Sequence, residues 1–147
     1  MKILILGATG EIGHTLCKIL SKNYKVFALM RKNPNIRNVN FFDNILPENH
    51  CIFLESFQNI KSVKSEIKKI NPDVVINCAG IVKHRKICKE GNIETEYINS
   101  TFPHLLAEVC SDNDIRFIHF STDCVFSGEK GNYSESDTPD PIDYYGK

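Results

Sequence analysis

The stretch ILGATGEIG, residues 5 to 13, limits what this chain can fold into more than any other. It sets Gly7, Gly10 and Gly13 at three-residue intervals, directly after the apolar run KILILG (2–7) and at the head of a segment where Ile12, Leu16, Ile19 and Leu20 recur at helical spacing. A glycine in the first place permits a tight strand-to-helix turn. The second lets a diphosphate approach the backbone, and the third lets the helix pack closely on the strand. Free amides at such a helix start attract an anion. Strand, glycine turn, amphipathic helix and a second apolar run follow in order, so the pattern predicts a dinucleotide site. Its candidate ligands here are Gly7, Thr9, Gly10, Glu11 and Ile12.

The rest of the chain repeats that alternation. Further candidate strands are YKVFALM (24–30), CIFL (51–54), DVVINCA (73–79) and RFIHFS (116–121), and between them apolar residues return at helical spacing, as in Ile60, Val63, Ile67 and Ile70 or Ile98, Leu105, Leu106 and Val109. The pattern predicts an α/β fold, a Rossmann-type doubly wound parallel sheet with helices on both faces. Pro103 interrupts the last helical pattern and predicts a kink or restart there. Two stretches break the alternation. Residues 33–49 are rich in Asn and carry Pro34 and Pro47, which argues against a regular crossover helix. Residues 126–144 are polar and rich in turn formers, and predict a long surface loop of the functional kind.

At 147 residues and 41% hydrophobic, the chain makes one domain, 1–147. Its 18 basic and 18 acidic residues cancel, so no nucleic-acid or membrane-surface partner is expected. The distribution is less even, because no acidic residue falls between Glu11 and Asp43 while Lys18, Lys22, Lys25, Arg31, Lys32 and Arg37 do, a stretch suited to facing an anion. No apolar run reaches the roughly 18 residues of a membrane span, and the opening segment meets a carboxylate too early for a signal peptide. A cytoplasmic location is the expectation. Six dispersed cysteines without a CxxC pair read as reduced, mostly buried thiols, and the five histidines lack ligand spacing, so no metal site is predicted.

The end of the second strand bears on which dinucleotide is bound. A cofactor without a 2'-phosphate is usually held there by an Asp or Glu that accepts from the ribose hydroxyl. This chain has Arg31 and Lys32 instead, cations that suit a 2'-phosphate. NADP(H) is therefore the expected cofactor, with NAD(H) admitted as well.

Taken with the GxxGxxG spacing, FIHFSTDCVFSGEKGNYSESDTPDPIDYYGK (117–147) resembles the extended short-chain dehydrogenase/reductases, and within them the dTDP-4-dehydrorhamnose reductase family. Ser121, Thr122, Asp123, Val125, Phe126, Gly128, Tyr133, Glu135, Asp137, Pro141, Tyr145 and Gly146 fall on that family's pattern. The resemblance implies that Thr122 hydrogen-bonds a substrate carbonyl and that Tyr145 donates the proton as hydride arrives. It also implies that Cys78, Ala79 and Gly80, with Asn99 in the following helix, line the cofactor. A nucleotide sugar is the implied substrate, and a homodimer is compatible with the family. Hydride addition creates an alkoxide, which independently calls for a placed proton donor and a second hydrogen bond.

Three departures qualify what is carried over. Cys124 stands where the family usually has tyrosine, fitting either simple packing or substrate choice. The segment KHRKICKEG (83–91) is basic where the reductase proper is more acidic, fitting either a solvated surface or a diphosphate contact. Third, the family keeps a lysine four residues after the tyrosine, and Lys147 is only two after Tyr145, which on a helix faces nearly the opposite way. Lowering a tyrosine by three units takes about 4 kcal/mol of phenolate stabilisation. The expectation is thus a fragment or truncated product holding the cofactor half of a reductase, without the catalytic lysine and the C-terminal substrate lobe. Alternatives are an epimerase or dehydratase of the same superfamily that holds NAD, and a non-catalytic NADP-binding module.

Overall fold

The computed structural model describes residues 1–32, 42 and 44–147. Five parallel strands form one sheet: β1 (Lys2–Leu6), β2 (Lys25–Arg31), β3 (Cys51–Leu54), β4 (Val74–Asn77) and β5 (Arg116–His119). Their order is β3-β2-β1-β4-β5. In register, Ile3 sits between Val26 and Val74, and Leu6 between Leu29 and Asn77. Order runs outward one way from β1 to β3 and then reverses at β4, leaving a switch point between β1 and β4. Sheets of this kind open a crevice there, at the carboxyl ends of the strands. The doubly wound expectation therefore holds.

Strand β1 is central, and Ile3, Leu4, Ile5 and Leu6 are all buried, which explains its unbroken apolar run. Alternate residues serve opposite faces. Helix α1 (Glu11–Leu20) covers one through Cys17, against Ile3, Ile5, Ala28 and Met30, with Phe42 in the same cluster. On the other, Leu4, Leu6, Leu29 and Val75 meet Val63, Ile67 and Ile70 of α2 (Ile60–Ile70) and Phe102, Leu106 and Val109 of α4 (Phe102–Ser111). Asn59 caps α2 by accepting from the Ser62 amide, and Asn71 closes it in the left-handed conformation.

A short α3 (Ile93–Glu96) runs into a π-helical turn (Tyr97–Thr101) and then into α4. This is the irregularity expected around Pro103. Without an N–H to give the carbonyl four residues back, proline favours a wider turn ahead of it.

Strand ends differ from the sequence reading. β4 stops at Asn77 rather than 79, because the Asn77 side chain takes the Ala79 amide at 3.1 Å and turns the backbone out of the ladder. β5 ends at His119 rather than 121, having lost its partner strand there. Most of segment 33–49 lies outside the described residues, so the crossover expectation is confined to its end, where Glu48–His50 make a 3-10 turn before β3. Among the described residues, no helix is long and apolar enough to cross a membrane.

Candidate active site

The glycine turn is built by close approach. Gly7 has φ +74, and a Cβ there would stand 2.6 Å from the Ala79 amide nitrogen, so the turn lies directly on the backbone leaving β4. A Cβ on Gly13 would come within 2.5 Å of the Gly7 carbonyl oxygen, which fixes how tightly α1 closes on the turn. Gly10 is different. Its φ of −78 suits any residue, and its exposed position leaves the entry to α1 bare. Among the described residues no side chain caps that helix, and the Gly10 amide donates to the Gly7 carbonyl at 3.0 Å, while Thr9, Gly10, Glu11 and Ile12 are not buried, so the uncapped helix start is open. This is the arrangement an anion needs.

Beside the turn, at the carboxyl ends of β4 and β5, lies a cleft of about 750 Å³. It brings together Ala79, Gly80, Asn99, Thr122 and Tyr145 from the sequence-predicted set, along with His104, His119, Ser121 and Lys147. The glycine-turn residues, Cys78 and Arg31 are not in its lining, although Gly7 abuts Cys78 and Ala79. Lys147 lines it together with Tyr144, Tyr145 and Gly146.

Thr122 opens a 3-10 turn (Asp123–Val125), where its Oγ1 accepts from the Cys124 amide at 3.2 Å. Among the described residues its own proton meets only Asp123 Oδ1, at 3.5 Å, which leaves it available to a ligand. Tyr145 sits on the turn 144–146, closed by Asp143, whose Oδ1 accepts from the Gly146 amide at 2.9 Å. The next residue locks that turn in place. A Cβ on Gly146 would stand 2.1 Å from the Cys124 carbonyl oxygen and 2.9 Å from Pro141 Cβ, so the turn bearing Tyr145 presses on the segment bearing Thr122. Gly146 was visible in the sequence only as part of a pattern, with no sign of this contact.

Two asparagines hold the exit of β4. Asn99 spends both ends of its amide on Ile81, accepting from its N–H at 2.8 Å and donating to its carbonyl at 2.9 Å. It reaches the cleft as the brace of the segment Ala79–Ile81. Asn77, the last residue of β4, is fully buried. With its oxygen on the Ala79 amide, its Nδ2 faces His119 Nδ1 at 3.2 Å and ties β4 to β5. Burial lowers the His119 pKa, His104 acts in the same direction, and the Asn77 backbone opposes them.

The loop 126–142 is irregular, as expected, but closed by its own bonds. Asp140 accepts from the Ser127 amide and hydroxyl at 2.8 and 2.6 Å, Tyr133 stacks on Phe126 at 4.4 Å, and Lys130 pairs with Asp137. All six cysteines are free thiols. Only Cys17 and Cys110 are buried and the other four are half-buried, fewer than the sequence suggested. Burial still pushes Cys17 up to about 12, and Cys78 and Cys110 up to about 11.

These features can be compared with known proteins. A family profile described as RmlD substrate binding domain matches residues 1–147. The chain belongs to that family. The residues matched here build the parallel sheet and glycine turn, whatever the profile's name emphasises. A probable low-salt glycan biosynthesis reductase of Haloferax volcanii is 46% identical over 76 residues, 51% of this chain and 25% of that protein. The dTDP-4-dehydrorhamnose reductase of Shigella flexneri is 28% identical over 148 residues, covering 100% of this chain and 44% of its own length. Among solved structures, a hypothetical dTDP-4-dehydrorhamnose reductase from Sulfolobus tokodaii superposes with TM-score 0.79 at 32% identity, covering 99% of this chain and 48% of that one. A UDP-glucuronic acid 4-epimerase from Bacillus cereus, in complex with UDP-glucuronic acid and NAD, gives 0.75 at 28% identity, covering 99% and 48%. The chain thus spans less than half the length of these relatives.

Proposed function

We propose that this chain is the dinucleotide-binding part of a reductase that acts on a keto group of a nucleotide sugar, with NADP(H) as cofactor. The observation that carries the reading is that Thr122 and Tyr145, from opposite ends of the 123–144 segment, border one cleft with the backbone leaving β4. When bound, a reduced nicotinamide supplies hydride to the carbonyl carbon.

The chain's own residues supply the rest. The bare amides at the head of α1, beside Gly7 and Gly10, would hold the diphosphate. Asn99, by fixing Ile81, keeps Ala79 and Gly80 as a firm wall of the cleft. As the carbonyl becomes an alkoxide, its oxygen gains charge, and the Thr122 hydroxyl donates a hydrogen bond to it. Tyr145 Oη–H gives the proton that completes the alcohol. The sugar-binding lobe falls to the part of the relatives that this chain does not match.

The test is a pair of substitutions in a protein that contains this chain and reduces a keto nucleotide sugar. Tyr145→Phe should lower kcat by at least about 10²-fold, the lower end for losing a general acid. Thr122→Val should lower it less, with NADPH affinity unchanged in both. Ketone reduction unaffected by Tyr145→Phe would overturn the assignment.

A further inference from the structure

The two candidate 2'-phosphate ligands at the tip of β2 already hold carboxylates. Lys32 Nζ meets Glu55 Oε1 at 2.5 Å, just past neighbouring β3. Arg31 reaches farther, to Glu94 Oε1 at 2.7 Å, in the first turn of α3. In the sheet, β1 separates β2 from β4, and α3 follows β4 in the chain. The Arg31–Glu94 pair therefore spans from the β2 side to the β4 side of the switch point. That crevice is where a sheet of this kind receives a dinucleotide.

We propose that Glu94 is a specificity-determining residue: it occupies the guanidinium that a ribose 2'-phosphate needs, and so narrows the preference for NADP(H) that Arg31 and Lys32 create. This rests on the dinucleotide reading given above. A 2'-phosphate is close to doubly charged and takes a guanidinium through paired hydrogen bonds. To do so it must displace Glu94 from Arg31. An unphosphorylated ribose makes no such claim on Arg31, and a carboxylate at this place can instead accept from its hydroxyl. The pair is partly solvated, with side-chain exposures of 61% for Arg31 and 32% for Glu94, so it opens at modest cost and acts on selectivity rather than as a block.

The experiment compares NADPH and NADH dissociation constants for the chain, Glu94→Gln, Arg31→Gln and the double variant at one fixed ionic strength. The sequence has no tryptophan, so nicotinamide fluorescence is read without interference from indole. Glu94→Gln should tighten NADPH roughly two- to five-fold, the scale of one exposed ion pair, and change NADH by less. Arg31→Gln should weaken NADPH and erase the effect of Glu94→Gln in the double variant, because the two act through one contact. Equal changes for both dinucleotides, or an effect of Glu94→Gln that persists without Arg31, would overturn the proposal. Failure of the unsubstituted chain to bind either dinucleotide would instead overturn the dinucleotide reading, and this inference with it.

Discussion

Gly146 has room for a hydrogen and nothing larger. A Cβ there, 2.1 Å from a backbone oxygen, could not be relieved by a side-chain rotation, so Gly146→Ala must shift the Tyr145 turn or the Cys124 segment. It should cost about 1–3 kcal/mol in denaturant unfolding, the range for overpacking. Faster hydrogen exchange should be confined to residues 121–127 and 143–147. The thiols give a second residue-level expectation. With pKa values near 12 for Cys17 and near 11 for Cys78 and Cys110, these three should stay unmodified by a thiol reagent at pH 8 in the native protein and react once it is unfolded. The spacing of Gly7 and Gly13 showed their importance in the sequence, and Gly13's close contacts are indeed local to the turn, but that Gly7 abuts Cys78 and Ala79 was not legible there. The need for Gly146 and Asn77 was hidden, since each depends on a group brought in from a distant part of the chain.

At the scale of elements, braces and caps matter more than propensity. Asn99→Ala would leave the Ile81 N–H and carbonyl without their partners and should cost about 1–3 kcal/mol, with the loss read in thermal or denaturant unfolding. The loop 126–142 carries a pH dependence of defined sign. Hydrogen bonds from Ser127 lower the Asp140 pKa below its ordinary 3.8, and the Lys130 contact, followed by the Ser134 amide, lowers that of Asp137. A depressed carboxylate adds stability above the unfolded value and loses it as pH falls through the folded one. Loop order should therefore persist at neutral pH and fade below about pH 4, observable as carboxyl and amide NMR shifts, with Ser127→Ala moving the Asp140 titration upward. Strand positions were legible because the inner strands β1, β2 and β4 are largely buried and read as apolar runs, with β3 and β5 at the less buried edges. Their ends were not, because Asn77 stops β4 with a side-chain bond that periodicity does not register. The π-helical turn was legible only as trouble at Pro103.

Across the whole molecule, strand order and the switch point place the glycine turn, the β4 exit, Thr122 and Tyr145 at one end of the sheet. The alternation of strands and helices in the sequence predicted the parallel sheet, while Thr122 and Tyr145 entered through the family resemblance. It did not reveal that Arg31 and Lys32 arrive already paired, since Glu94 and Glu55 join them only in the folded chain. Every functional step proposed above depends on a nicotinamide dinucleotide being held at this end of the sheet, on the glycine turn. Titration calorimetry with NADPH tests that most directly, using the chain and its Gly7→Ala variant, with circular dichroism to verify that the variant is folded. Saturable one-to-one binding that the folded variant loses is the predicted result. Absence of saturable binding, or binding that Gly7→Ala leaves unchanged, would contradict it.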